Sequence, residues 1–177
     1  MAINGFVLLV LVLAGLSYFI PVENKSKKNA NEDIALLTFT NSTMYTLTPA
    51  SMNRIVYADK ALRYKDRDVM INGALTLKGE GKDGKEITDI VYSDLIIKRG
   101  DAFKFLNNVK YERDDSITLL TDELLYNAKS RIATNTLPFE GTYFNNYIKG
   151  ENIYLDLNKY YMKSKNTHFE IEVEKKK

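Results

Sequence analysis

The chain of 177 residues has no cysteine, no tryptophan, a single histidine and three prolines. The absence of cysteine excludes a disulfide, a thiol nucleophile and a thiolate metal site. An excess of charge of one sign is also missing, because 25 lysines and arginines face 23 acidic residues and leave a net charge of +2. This balance gives no electrostatic reason to expect a nucleic acid as partner. Tyrosine, by contrast, is abundant with 12 residues, and it favours strands.

Sequence signs of catalysis are weak. Residues 79–84 fit the pattern G-x-G-x-x-G, but a dinucleotide site needs this loop to open a helix, and a strand-like segment follows instead. We therefore interpret the loop as a hairpin connection. His168 has no second histidine to share a metal ion, and Asp66 and Asp68 lie in a predicted turn. We expect no catalytic residue, no metal site and no cofactor, and hence a protein that is not an enzyme.

The N-terminus contains the one long apolar run. Residues 3–20 carry no charge, and as a helix they would extend roughly 27 Å, close to the thickness of a bilayer core. No basic residue precedes the run, which argues against a cleaved signal peptide, although Gly15-x-Ser17 offers a tolerable cleavage pattern. The sequence predicts a transmembrane anchor at residues 1–21 and a polar, flexible tether at residues 22–33. A cleaved signal peptide is the alternative.

The basic residues around this anchor bear on its orientation. Lys25, Lys27 and Lys28 all follow the apolar run. Taken alone, the preference of basic residues for the cytoplasmic side would leave the C-terminal domain in the cytoplasm.

Residues 34–177 show the period of two that is typical of strands, with apolar side chains on one face and polar ones on the other. The clearest apolar rows are Val69, Ile71, Leu75 and Leu77; Phe105, Val109 and Tyr111; Ile153, Leu155 and Leu157; and Phe169, Ile171 and Val173. Turn signals separate the runs at short spacing, as in a sandwich, barrel or jelly roll. Residues 121–130 open like a capped helix, but their neighbours are strand-like, and we predict a strand there too.

A short segment of sequence recurs along this region. Residues 55–59 read IVYAD, residues 90–94 read IVYSD, and residues 124–127, LLYN, are a weaker echo. Such spacing indicates a sheet built by repeated addition of similar hairpins. The apolar faces of such a sheet can serve as an ordinary core or as a groove for a lipid, and alternation alone does not separate the two.

Several motifs, in order, resemble the LptC family of bitopic inner-membrane proteins in lipopolysaccharide export, within the OstA-like superfamily that also contains LptA. They comprise residues 58–61 (ADKA), 69–77, 119–126, 137–141 and 148–153. The resemblance covers nearly the whole chain, and it implies a twisted, open β-jelly roll at residues 34–177. It also implies a periplasmic location for this domain, with the chain anchored in the bacterial inner membrane.

The resemblance further implies a function and its partners. The jelly roll receives lipopolysaccharide from the periplasmic β-domains of an inner-membrane ABC transporter and passes it to a periplasmic LptA-like protein. On this reading the lipid-binding groove comprises Leu75, Leu77, Phe105, Val109, Tyr111, Leu155 and Leu157, and the partner edge comprises Phe169, Ile171 and Val173. Two alternatives stay open. One is a soluble LptA-like bridge with a cleaved signal, and the other is a membrane-anchored sandwich for assembly or adhesion that binds no lipid.

Overall fold

The computed structural model describes residues 33–47, 52–81, 84–114, 116–144 and 146–171. The predicted anchor and all but the last residue of the predicted tether lie outside these ranges. Every regular element of the described chain is a strand, which confirms the all-β prediction. The strands are β1 Leu37–Leu47, β2 Met52–Arg63, β3 Asp68–Glu80, β4 Glu86–Arg99, β5 Ala102–Arg113, β6 Ile117–Asn127, β7 Ile132–Thr134, β8 Pro138–Tyr143, β9 Asn146–Asp156 and β10 Tyr161–Glu170.

The ten strands form a single antiparallel sheet in which strands adjacent in sequence pair with each other, except β7 and β8. β7 and β8 together fill one position between β6 and β9, because the strand is interrupted between them. The buried side chain of Asn135 bridges this gap. Its Nδ2 donates to Thr121 Oγ1 over 2.8 Å, and its Oδ1 accepts from the Ile153 amide over 2.8 Å. One side chain thus supplies the hydrogen bonds that a continuous strand would make.

A line of asparagines crosses the middle of the sheet, and we call it the crease: Asn41, Asn72, Asn107, Asn108, Asn152 and Asn166, all with positive φ. Asparagine tolerates this left-handed conformation better than most residues, and one such residue bends a strand. The neighbouring strands β2 and β4 carry exposed aspartates at the crease, and these accept hydrogen bonds from the asparagine side chains. Asn72 Nδ2 donates to Asp59 over 3.2 Å, and Asn108 Nδ2 donates to Asp94 over 2.7 Å.

The crease shifts the alternation of the strands by one residue. On β3, Met70 is buried and Ile71 is exposed, whereas beyond the bend Leu75 and Leu77 are buried. The prediction that Ile71 shares a face with Leu75 and Leu77 is therefore wrong. The bend at Asn72 separates the two phases.

The crease also explains the sequence repeat. Asp59 on β2 and Asp94 on β4 occupy equivalent positions, since both lie opposite Asn72 in the pairing of β3 with its two neighbours. Two of the three predicted repeats are thus structurally equivalent. The third predicted repeat, residues 124–127, is not equivalent to the other two. On β6 the residue at the crease, beside Asn107 and Asn108, is Asp122, which precedes this segment.

The sheet folds along the crease, so that its two halves face each other. The guanidinium of Arg54, near the start of β2, lies 5.7 Å from the ring centroid of Phe103, at the start of β5. Tyr160, in the turn before β10, donates a hydrogen bond to the carbonyl of Glu80 at the end of β3. Between the halves lies one cluster of buried apolar side chains drawn from β2 to β9.

Candidate functional site

The interior between the two halves contains every residue predicted for the lipid groove. All seven are buried, and all belong to the same apolar cluster: Leu75, Leu77, Phe105, Val109, Tyr111, Leu155 and Leu157. Leu157 lies just beyond β9, where its amide donates to the carbonyl of Arg131 over 3.0 Å. The predicted rows therefore come together on one inner face. Leu75 and Phe105 are completely shielded from solvent.

Three of these residues, Tyr111, Leu155 and Leu157, line a cavity of about 350 Å³. Its wall continues through Met162 and Tyr161 of β10 and through side chains at the β6 and β8 ends of the interior. Ligand pockets have volumes from roughly 300 to 1,000 Å³, so the cavity admits a small part of an apolar ligand. Leu75, Leu77 and Phe105 lie away from this cavity, in the packed part of the core.

Arg113, which lines the cavity, belongs to a buried ion pair with Asp89. Arg113 Nε lies 2.7 Å from Asp89 Oδ1, and the exposed fractions of the two side chains are 11% and 4%. The Tyr111 hydroxyl donates to the same carboxylate over 2.7 Å. Burial, reinforced by the charge of Asp89, raises the pKa of Tyr111, so its phenol remains a hydrogen-bond donor at neutral pH.

The apolar inner face continues onto the N-terminal edge of the sheet. β1 pairs only with β2, so one row of its backbone groups has no strand neighbour among the described residues. Phe39 and Met44 lie opposite the inward-facing Ala61 and Val56, yet Phe39 is 50% exposed. β1 carries no charged residue along its length. Charged side chains usually protect such edges from unwanted pairing, and β1 lacks this protection.

The opposite edge is β10, which pairs only with β9. The sequence predicts the last strand at residues 168–174. Instead, β10 begins at Tyr161 and ends at Glu170, and residues 172–174 lie outside the described ranges. Phe169, opposite the buried Ile148, is 41% exposed, and Ile171 is 66% exposed. The third residue of the predicted partner edge, Val173, lies outside the described residues. The backbone of the described part of this edge is therefore paired only with β9, and Phe169 and Ile171 are exposed near its end.

A shallow groove of about 860 Å³ crosses the outside of the sheet over the interruption between β7 and β8. It is bordered by side chains of both charge signs, including Lys149, Glu140 and Asp122, with Leu137 and Pro138 at its floor. Val109, one of the predicted interior residues, also reaches this groove. The mixed charges select neither an anionic nor a cationic ligand.

The structure describes the surroundings of the motifs that were considered for catalysis. Residues 79–84 begin at the end of β3 and lead towards β4, and these two strands pair with each other. His168 is exposed and lies 2.8 Å from Glu170 on its own strand. Asp68 pairs with Arg63 over 2.7 Å across the base of the β2–β3 turn. Among the described residues no three potential metal ligands cluster.

Sequence reasoning did not identify the polar residues of the interior. Arg54, Asp89 and Arg113 lie on strands but point inward, where period-two patterns predict apolar side chains. Their partners are distant in sequence, and only the strand register shows that they meet. The crease did carry a signal, because asparagine and aspartate recur in the middle of predicted strands.

Comparison with known proteins adds no family assignment. No protein-family model matches the chain, and a search of curated proteins found no significantly similar sequence. In the described part of the chain, no helix has the length and apolar character needed to cross a bilayer.

Proposed function

We propose that this chain is an open β-jelly roll that carries the acyl part of lipopolysaccharide through an apolar interior, as the resemblance to the LptC family implies. A single observation carries the proposal. The apolar inner face is buried in the middle of the sheet and continues onto both edge strands, where Phe39 and Phe169 are exposed and, among the described residues, no further strand pairs on the outer side. A domain whose apolar face served only as its own core would bury this face at the edge strands as well.

In this proposal, neighbouring β-domains extend the sheet at each edge. The edge β1 accepts a strand from the periplasmic β-domain of an inner-membrane ABC transporter, and β10 accepts one from an LptA-like protein. Backbone pairing would supply affinity, and the exposed apolar side chains would join the interiors of successive modules. Residues 1–21 anchor the chain in the inner membrane, with the jelly roll in the periplasm. A reporter that is active only in the periplasm, fused after residue 177, should be active, and its inactivity would contradict this location.

Lipid binding by the full-length protein tests the proposal. Met162 borders the cavity on β10 and packs against the core, so Met162→Trp should fill the space without introducing charge. Leu125→Trp is the matched control, because Leu125 is exposed on the outer face of β6. We expect lipopolysaccharide to bind the wild-type protein and the control, and to bind Met162→Trp at least several-fold more weakly. Native mass spectrometry measures the bound fraction directly. Equal binding by both variants, or no binding by any form, would refute the proposal.

A further inference from the structure

Two arginines border the interior where strand ends of the two halves meet. Arg54, near the start of β2, pairs with the inward-facing Leu77 of β3, so its side chain also points inward. Its guanidinium packs against the ring of Phe103, which lies on the other half of the sheet. Lys98 lies against the same ring, with Nζ 5.9 Å from the centroid, but it also pairs with Asp68 over 3.9 Å. Arg54 therefore supplies the cation of the rim at this position.

Arg131, in the turn between β6 and β7, reaches the same rim from the opposite side. Its Nη2 lies 3.0 Å from the point that a Cβ on Gly79 would occupy. Gly79 is two residues beyond Leu77 on β3, and alternate residues of a strand share a face. The side chains of Arg54 and Arg131 therefore meet β3 at adjacent positions of its inner face. Glycine at position 79 leaves room for the second guanidinium.

Neither arginine is neutralised by the protein around it. Within the described ranges, no carboxylate forms an ion pair with Arg54 or Arg131, and Arg54 Nε is buried with no hydrogen-bond partner. Burial raises the pKa of Tyr126, and the positive charges of Arg131 and Arg54 oppose this rise, which indicates that both act on the same phenol. The charge of Asp89 also acts on the Tyr126 phenol, but this carboxylate is already paired with Arg113.

An unpaired, partly buried cation is costly, and an anion between the two arginines would remove this cost. The planar guanidinium binds phosphate and carboxylate oxygens in pairs, which makes arginine well suited to such groups. This rim adjoins the cavity, because the carbonyl of Arg131 accepts a hydrogen bond from the amide of Leu157 over 3.0 Å, and Leu157 lines the cavity. A ligand could thus place its charge on the arginines and its chain in the cavity.

We infer that Arg54 and Arg131 bind the anionic head, a phosphate or carboxylate, of the amphipathic ligand whose apolar part enters the interior. This inference rests on the proposed function and adds the charge selectivity of its site. It makes the protein selective for acidic lipids over neutral lipids of the same chain length.

Calorimetric titration of the full-length protein in uncharged lipid nanodiscs, with empty nanodiscs as blank, tests the inference. The probes are dodecyl phosphate, the neutral dodecyl maltoside and inorganic phosphate. We expect Arg54→Gln and Arg131→Gln each to weaken dodecyl phosphate binding by about tenfold or more, as loss of a charged hydrogen bond does. Arg99→Gln is the control, because it removes an equal charge from a side chain that is 62% exposed. Dodecyl maltoside binding should not change in any variant.

The outcomes separate the inference from the proposed function. Unchanged dodecyl phosphate binding in both glutamine variants overturns the anion site, even if both amphiphiles bind. Failure of both amphiphiles to bind the wild type contradicts the proposed function as well. Inorganic phosphate binding as tightly as dodecyl phosphate would support the anion site and identify free phosphate as its source. Should Arg54→Gln not fold, Arg54→Lys retains the charge without the planar fork and should still weaken binding.

Discussion

Replacement of Asp89 by asparagine would leave the buried cation of Arg113 without its counter-charge. The substitution preserves size, and the amide oxygen can still accept from Tyr111 and Arg113. Only the negative charge is lost, from a pair whose side chains are almost fully shielded. Removal of one partner of a buried ion pair typically costs about 3–5 kcal/mol. That is a large part of a total stability of roughly 5–15 kcal/mol, and it corresponds to a fall in Tm of roughly 10 °C.

Urea unfolding of the full-length protein, followed by circular dichroism, measures this cost. Asp66→Asn is the control, because Asp66 is 59% exposed and its pair with Arg67 should be worth less than about 1 kcal/mol. The double variant Asp89→Asn/Arg113→Met should recover part of the lost stability, since it removes the uncompensated charge. A loss below about 1 kcal/mol for Asp89→Asn, or strict additivity in the double variant, would refute the reasoning.

Three further outcomes are expected. Phe105→Ala should destabilise the fold by about 3–5 kcal/mol in urea unfolding, because the ring is fully buried, whereas Phe144→Ala, at an exposed turn, should cost less than about 1 kcal/mol. Gly141→Ala should abolish the native circular dichroism spectrum or lower Tm steeply, because its Cβ would lie 1.9 Å from the Thr118 carbonyl oxygen; a native-like Tm would contradict this. Deletion of residues 168–177 should preserve the β-sheet spectrum but abolish pull-down of an LptA-like partner, and retained binding would disprove the docking role.

The strands and the inner face could largely be predicted from the sequence, because period-two alternation reports which side chains share a face. Residues 121–130 were also predicted correctly as mostly strand, since residues 117–127 form β6. The prediction failed at Ile71, where the left-handed conformation of Asn72 shifts the phase. A pattern that assumes continuous strands does not anticipate a bend inside one of them.

The polar part of the site was beyond sequence reasoning for a different reason. Asp89 and Arg113 are 24 residues apart and meet only because β4 and β5 pair in one particular register. Arg54 and Arg131 come together only when the sheet folds along the crease. Alternation assigns a charged residue to the outer face by default, so inward-pointing charges are visible only in the folded chain.

Photocrosslinking in cells that make lipopolysaccharide tests the central claim most directly. A photoreactive residue at Tyr111 or Leu155 would lie on the wall of the interior cavity, whereas one at Lys104 or Lys110 would lie on the outer face of the same sheet. We expect lipopolysaccharide adducts from the two inner positions and none from the two outer ones. Equal labelling of both faces, or labelling of neither, would contradict an apolar interior that carries the lipid.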